Sequence, residues 1–400
     1  MLGACTQKRV AIACGGTGGH LFPGLAVACE CARRNLGVTL LVSPKHVDQR
    51  AVRAALGLSG VSVVTLPAAA FQSGSRLAFI RGLARSYRVA LTAFRDAPPA
   101  AVLAMGGFTS VAPVLAGRRA CARVFLHESN VVPGRANRLI AWFADEAFLG
   151  FAEAAVQLGC RKKTVTGTPV RLEIVRRDPR ECRIALGLDP EKPTVLVMGG
   201  SQGASAINDL VTALVQRFRS GFSGVQWIHL TGPSDIEKVQ AIYAQAGVQF
   251  MATAFCDKMH LALGAATVAI SRAGASALAE LAAVQLPAIL IPYPRAAGNH
   301  QLHNARAFER AGAAIVLEQY RTEPEFAAQL AEIARNIKVI IEDAGLRQKM
   351  QVALAGLHRP NAARDIADAI TAAVLPNEQL RGECAVATSA AQSRHLSVVP

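Results

Sequence analysis

Short, continuous apolar runs separated by stretches of helical character are the feature that most narrows what this chain can fold into. "RVAIAC", "VTLLVS", "VSVVTL", "AVLAMGG" and "RVFLHES" succeed one another along the first third of the sequence. They are too continuous for strands with one wet face, and each is followed by a segment that reads as helix. A parallel sheet covered on both faces is the arrangement that satisfies both facts. After "VTGTPVR" and a charged, proline-punctuated stretch to Pro193, the pattern restarts with "TVLVMGGSQGASAIND". It continues through "VQWIHLTG", "QFMATAFC", "TVAISRAG" and "PAILIPYP". The expectation is an α/β chain of two doubly wound, Rossmann-like domains in tandem, with a linker near residues 168 to 193. Ligands of such folds bind outside the carboxyl ends of the strands, here in the cleft between the domains. With 400 residues, 52% of them apolar, there is chain enough for two cores.

Composition closes off several classes. The nine cysteines are scattered and never spaced C-x-x-C, so neither a zinc site nor a disulfide framework is expected, and the compartment reads as reducing and cytoplasmic. No apolar stretch precedes Cys5, "VAIAC" is too short for a signal peptide, and no run of eighteen apolar residues occurs. Charge is lopsided: Met1 to Val170 carry 20 Lys and Arg against 7 Asp and Glu, so almost all of the net +15 lies there. That asymmetry points to an anionic partner of the N-terminal half, whether nucleic acid, an acidic membrane surface or a phosphorylated substrate.

Two glycine loops follow the first strand of each half. In "ACGGTGGHLFPGLA" the loop precedes a helix expected to begin near Pro23, so its N–H groups and the helix N-terminus can converge on an anion. The plain alternative is a tight turn without a ligand. A dinucleotide site fits poorly, because the run is not G-x-G-x-x-G and "VTLLVSPKH" ends without an acidic residue for a ribose. Neither loop has the G-K-[ST] of a P-loop. Further on, "SRAGASALAE" reads as a strand ending at Arg272 and a helix opening after Gly274, with small residues leaving its N-terminus accessible to a pyrophosphate. Glu280, one to two turns in, could accept from both hydroxyls of a ribose, or be merely a solvated helix residue. Asn299, His300, Gln301 and Asn304 could read sugar hydroxyls, or cap a helix.

The segments "GGTGGHLFPGLAVA", "MGGFTSVAPVLAG", "HESNVVPGRANRLIA", "VTGTPVR", "MGGSQGASAIN" and "SRAGASALAELAAVQLPAILIPYPRAAGNHQLHNA" occur in this order. Together they resemble the undecaprenyl-diphospho-muramoylpentapeptide N-acetylglucosaminyltransferases of bacterial cell-wall synthesis, over most of residues 8 to 375. The resemblance implies a GT-B fold and transfer of GlcNAc from UDP-GlcNAc to lipid I, forming lipid II with inversion at the anomeric carbon. It implies no cofactor and no metal. It implies no nucleic acid, an anionic membrane as partner alongside other proteins of cell-wall synthesis and division, and a peripheral position on the cytoplasmic face of the inner membrane. Residues 1–168 would form an acceptor- and membrane-facing domain and 169–359 the UDP-GlcNAc domain. A helix at about 360–375 would pack back on the first domain, and 377–400 read as a disordered tail.

Carried over residue by residue, the donor site would comprise Thr17, Gly18, Gly19, Asn130, Arg171, Ser201, Cys256, Ala275, Ser276, Ala277, Leu278, Ala279, Glu280 and Gln301. Arg171 and Ser201 would face the diphosphate, and Cys256 would offer its backbone near the uracil. Ala277 stands where the family often has threonine, and Ser129 where glutamine is frequent, so weaker donor binding is expected rather than a different reaction. His20 is the leading candidate for the general base, because a helix N-terminus disfavours an imidazolium. Glu128 is the alternative, acting directly or orienting a histidine such as His127. Two other classes fit parts of the pattern. A UDP-GlcNAc 2-epimerase would release free ManNAc without an acceptor, and a non-catalytic membrane-bound nucleotide-sugar sensor would bind UDP-GlcNAc without turnover. A Rossmann oxidoreductase, a more distant reading, would bind nicotinamide.

In "SRLAFIRGLARSYRVALTAFR", Ile80, Leu83, Ala84, Tyr87, Leu91 and Phe94 recur at helical spacing beside Arg81, Arg85 and Arg88. This stretch is either a core-facing helix with a basic edge or a membrane contact.

Overall fold

The computed structural model describes residues 7–16, 18–44, 60–67, 76–200, 203–320 and 322–375. Thr17, Ser201 and the tail 377–400 therefore lie outside the described residues.

The first sheet has seven strands: β1 Arg9–Ala13, β2 Gly37–Val42, β3 Val61–Thr65, β4 Ala101–Ala104, β5 Arg123–Glu128, β6 Glu146–Leu149 and β7 Lys162–Val165. Their spatial order is β3-β2-β1-β4-β5-β6-β7. The second has six: β8 Thr194–Met198, β9 Gln226–Leu230, β10 Gln249–Thr253, β11 Val268–Ser271, β12 Ala288–Leu290 and β13 Ala314–Val316. These run β10-β9-β8-β11-β12-β13, and every pairing in both sheets is parallel. In each sheet the order of travel reverses beside the opening strand, β1 or β8, and a crevice must form there because the flanking helices leave on opposite faces. The two glycine loops follow these two strands.

Apolar cores lie on both faces of each sheet, and the edge strands β3 and β7 of the first stay partly exposed. On the first, the helices Gly18–Arg33 and Ala362–Val374 cover one side, with Leu21, Val27, Ile366 and Ile370 against Ile12, Leu40 and Leu103. The helices Arg76–Asp96, Val111–Arg119 and Arg135–Ala141 cover the other, through Phe94, Val114 and Ile140. The helix Ala362–Val374 thus leaves the second half of the chain and completes the first core, where Asp368 also pairs with Arg34 at 2.6 Å.

The structure departs from the sequence reading in four places. "VSVVTL" is not buried on both faces, since β3 is an edge strand in which Ser62 and Thr65 are exposed and its valines half-buried. The segment expected as linker contains a helix, Pro179–Ala185, capped by the Asp178 carboxylate and anchored by Cys182 in the second core. The first helix opens at Gly18, ahead of Pro23, which sits inside it. In the helix Arg76–Asp96 the inward stripe is Gly82, Ser86, Ala90 and Phe94. Leu83, Tyr87 and Leu91 are half-buried, Ile80 is 59% exposed and Leu77 65% exposed.

Candidate functional site

The site is assembled where the carboxyl ends of the two sheets face each other. Pro23 supplies one contact by what it lacks. With no N–H, it cannot bond to the carbonyl four residues earlier, so Gly19 C=O is released from the helical ladder. The Ser276 hydroxyl donates to that oxygen at 2.8 Å, joining the first turn of the helix Ala275–Val284 to the first turn of the helix Gly18–Arg33. Arg171, in the segment after β7, bridges the same seam. Its guanidinium stacks over the Phe22 ring at 4.4 Å and donates to Glu280 Oε1 at 2.9 and 3.3 Å, with Glu173 at 3.7 Å. Burial pushes the Glu280 carboxyl up from its ordinary value, and the Arg171 charge pulls it back down. The two side chains carried over for the ribose and the diphosphate therefore hold each other in the structure.

A third contact ties loop to loop. Asn304 is fully buried on the helix His300–Arg310. Its Oδ1 accepts from Val131 N–H at 2.9 Å, while its Nδ2 donates to Asn130 Oδ1 at 3.0 Å and to Ala273 C=O at 3.2 Å. This spends the amide, so Asn304 is a clamp between the domains and not a reader of sugar hydroxyls. Gln301, one turn earlier, is half-buried and accepts from Tyr293 N–H at 3.0 Å.

His20 lies in the first turn of its helix, against two consecutive glycines. A Cβ on Gly106 would come within 3.0 Å of His20 Nε2, and one on Gly107 within 3.3 Å of Cε1. Both glycines also have positive φ, +115° and +76°, so side chains there are excluded twice over. The imidazole can pack flat on this backbone only because it is bare.

Glu128 has a different task. It is buried, and its two oxygens accept from Asn130 N–H at 2.8 Å, Asn130 Nδ2 at 3.0 Å, Gly134 N–H at 3.1 Å and Asn137 Nδ2 at 2.8 Å. Burial raises its carboxyl while these donors oppose the rise. Four donors fill its acceptor positions, which makes it the organiser of the 128–134 loop. Nor does Glu128 orient His127. That ring is buried, donates from Nε2 to Gly167 C=O at 3.1 Å, accepts at Nδ1 from Ser129 Oγ at 3.2 Å, and is pushed down to about 4 by burial.

The segment 275–280 divides by helical geometry. Ser276 and Glu280, four apart, share the stripe facing Gly19 and Arg171. Leu278 is fully buried in the second core, so its side chain is unavailable to a ligand. Ala275 and Ala279 line a cavity of about 230 Å³ on the opposite side, with Phe151, Phe308 and Arg359. None of His20, Arg171 or Glu280 lines that cavity. Gly18 is buried, Gly19 exposed, and Asn130, Cys256 and Ala277 half-buried, with the Cys256 thiol raised by burial. Phe22 was missed from sequence, where it reads as an ordinary apolar helix residue. The seven cysteines described are all free, and no group of three or more potential metal ligands occurs among the described residues.

An apolar surface reaches this site. Leu77 and Ile80 project from the helix Arg76–Asp96, and Phe79 meets the exposed Phe108 edge to face at 5.4 Å. Phe108 is the residue after Gly107, so the patch begins beside His20. Arg81, Arg85 and Arg88 on the same helix are exposed. No helix among the described residues is long and apolar enough to cross a membrane.

Comparison with known proteins places these features in context. Residues 10–149 match the glycosyltransferase family 28 N-terminal domain and residues 194–355 the glycosyltransferase family 28 C-terminal domain. The UDP-N-acetylglucosamine–N-acetylmuramyl-(pentapeptide) pyrophosphoryl-undecaprenol N-acetylglucosamine transferase of Nitratidesulfovibrio vulgaris is 34% identical, across 94% of this chain and 100% of that protein. The enzyme of the same name from Sorangium cellulosum is 37% identical, across 92% of this chain and 90% of that protein. Among solved structures, Acinetobacter baumannii MurG superposes with a TM-score of 0.68 at 24% identity, covering 91% of this chain and 99% of that one. A UDP-GlcNAc 2-epimerase from Neisseria meningitidis, bound to UDP-GlcNAc, shares the fold at a TM-score of 0.61 and 12% identity.

Proposed function

Because this chain belongs to the UDP-N-acetylglucosamine–N-acetylmuramyl-(pentapeptide) pyrophosphoryl-undecaprenol N-acetylglucosamine transferase family, with both glycosyltransferase family 28 domains in order, we propose that it transfers GlcNAc from UDP-GlcNAc to lipid I and so makes lipid II for peptidoglycan. Its GT-B fold supplies two Rossmann-like domains facing across a cleft. Residues 169–359 take the donor, and residues 1–168, with the returning helix, take the acceptor.

The observation that carries the reading is the Phe22–Arg171–Glu280 bridge, which puts a cation and a carboxylate together at the seam between the helices Gly18–Arg33 and Ala275–Val284. As the sugar becomes oxocarbenium-like, negative charge accumulates on the departing UDP. The N–H groups at the start of the helix Ala275–Val284 and the Arg171 guanidinium stabilise it. Glu280, released from Arg171, accepts from the ribose hydroxyls, and Gln301 meets the GlcNAc hydroxyls. His20 takes the proton from the attacking acceptor hydroxyl, so that the new glycosidic bond forms as the bond to UDP breaks, with inversion. Ala277 offers no hydroxyl, so at its own position only the helix N–H groups meet the phosphate. Thr17, Ser201 and the Cys256 backbone complete the donor contacts in this reading.

The acceptor is anchored by a polyprenyl tail, and an apolar patch rimmed by arginines beside His20 fits delivery from an anionic membrane surface. Incubation with UDP-GlcNAc and a lipid I analogue, followed by the mass of the product, tests the reading. Gain of one GlcNAc by the analogue supports it, whereas ManNAc release without acceptor, or binding without turnover, overturns it.

A further inference from the structure

A chain of polar side chains runs through the second core, where apolar packing would be expected. Tyr243 OH lies 2.8 Å from His229 Nδ1, and His229 Nε2 lies 3.0 Å from Asn208 Oδ1. Asn208 Nδ2 then donates to Thr231 C=O at 2.8 Å and to Asp235 Oδ2 at 2.7 Å. Tyr243, His229, Asn208 and Thr231 are all essentially inaccessible, and the surroundings are Val197, Ile207, Val211, Trp227 and Phe250.

The direction of every bond is fixed by chemistry. Thr231 C=O and the Asp235 carboxylate can only accept, so Nδ2 of Asn208 faces them and Oδ1 faces His229. His229 must then donate from Nε2, which leaves Nδ1 to accept from the Tyr243 hydroxyl. Burial holds the ring neutral, pushing it down to about 3, so this single tautomer persists.

The chain ends on the second glycine loop. Asn208 is in the first turn of the helix Ser205–Arg217, which begins directly after that loop. Thr231, its backbone partner, is also the residue on which Gly203 rests: a Cβ on Gly203 would come within 2.4 Å of Thr231 O and 2.9 Å of Gly232 Cα. Gly203, at φ +79°, closes its turn by donating to Gly200 C=O at 3.0 Å. One carbonyl therefore seats Gly203 by contact and the helix start by hydrogen bond.

We infer that the Tyr243–His229–Asn208 chain is a positioning device for the diphosphate end of the donor, holding Gly203, Ala204 and the helix that follows them in the register that meets a phosphate. A buried polar chain is costly to keep satisfied, and a well-packed apolar core would stabilise the domain as well or better. Its use lies in fixing one geometry for backbone N–H groups that must oppose developing charge. The inference rests on the UDP-GlcNAc reading of the cleft.

Calorimetric titration of the full chain with UDP and, separately, with uridine tests it. His229→Leu, once shown folded by circular dichroism, is expected to bind UDP about tenfold more weakly while uridine affinity stays within about twofold. His229→Gln, which can accept from Tyr243 and donate to Asn208 along the same line, should return UDP affinity to within about threefold of wild type. Tyr243→Phe removes one hydroxyl and should fall between them, which keeps the inference falsifiable where the leucine variant does not fold. Equal losses for UDP and uridine, no rescue by glutamine, or unchanged UDP affinity in a folded Tyr243→Phe would each overturn it. Failure of the wild type to bind UDP would instead overturn the donor reading itself.

Discussion

Replacing Asn304 by alanine should loosen the two domains from each other, by an amount that follows from its three bonds. Two of them end on backbone groups with no route to water: Val131 N–H, in a residue 8% exposed, and Ala273 C=O, in a residue fully buried. A buried group left unpaired costs about 1–3 kcal/mol. The third ends on Asn130 Oδ1, which is half-buried and recovers solvent, adding little. The expected loss is about 2–6 kcal/mol. Asn304→Asp separates hydrogen bonding from size. It keeps the acceptor for Val131 N–H but sets a carboxylate against two oxygens, so it should be at least as unstable as alanine. Urea unfolding provides the stability, and initial rates against UDP-GlcNAc provide the Michaelis constant. The latter should rise, because Ala273 leads into the donor helix and Asn130 sits across from it. An alanine variant within about 0.5 kcal/mol of wild type, with unchanged donor kinetics, would refute the clamp.

Four further expectations follow from the same geometry. Glu280→Ala and Gln301→Ala should each lower donor kcat/KM by about 1–3 kcal/mol in transition-state terms, and unchanged kinetics in both would remove them from the site. His127 is held below its unfolded value, so it contributes stability that is present above about pH 6.5 and is lost as pH falls toward 4. Wild type should therefore lose up to about 3 kcal/mol relative to His127→Gln over that interval, and parallel urea-midpoint profiles for the two proteins would contradict the assignment. Changing Arg81, Arg85 and Arg88 together to Glu should reduce co-sedimentation with vesicles containing anionic lipid at low salt, and equal sedimentation of the folded triple variant would exclude that patch. In the proposed reading Arg171 and a helix N-terminus meet the diphosphate, so activity should survive EDTA; complete loss restored by magnesium would count against that reading.

Strand periodicity made the two sheets legible because buried parallel strands are continuous apolar runs, and β1, β2, β4, β8 and β11 stand out as such. Three strands escaped notice for physical reasons. β6 opens on an acid, β7 is the exposed edge "KKTV", and β13 has only three residues. The helix at Gly18 was placed too late because proline ordinarily marks a helix start, whereas Pro23 sits in the interior and its missing donor is put to use. The places of the glycine loops after β1 and β8 and of Glu280 on its helix were readable because they are set locally. Phe22 and the true task of Asn304 were not, since each is defined by a partner on the other domain. Glu128 ranked as a candidate base from its place at a strand end; four donors converging on it from the next nine residues are visible only in three dimensions.

The helix Ala362–Val374 has a consequence for how the chain comes into being. Ile366 and Ile370 fill the first core against Ile12, Leu40 and Phe125, yet they are synthesised after the entire second sheet. As the nascent polypeptide leaves the ribosome, the first sheet can pair its strands and cover one face, but the other face waits for the last helix. Contacts spanning nearly the whole sequence close late, because the entropy of bringing distant segments together is met before they stabilise anything. The first half of the protein is therefore born with an apolar face partly uncovered, and only the helix Ala362–Val374 seals it.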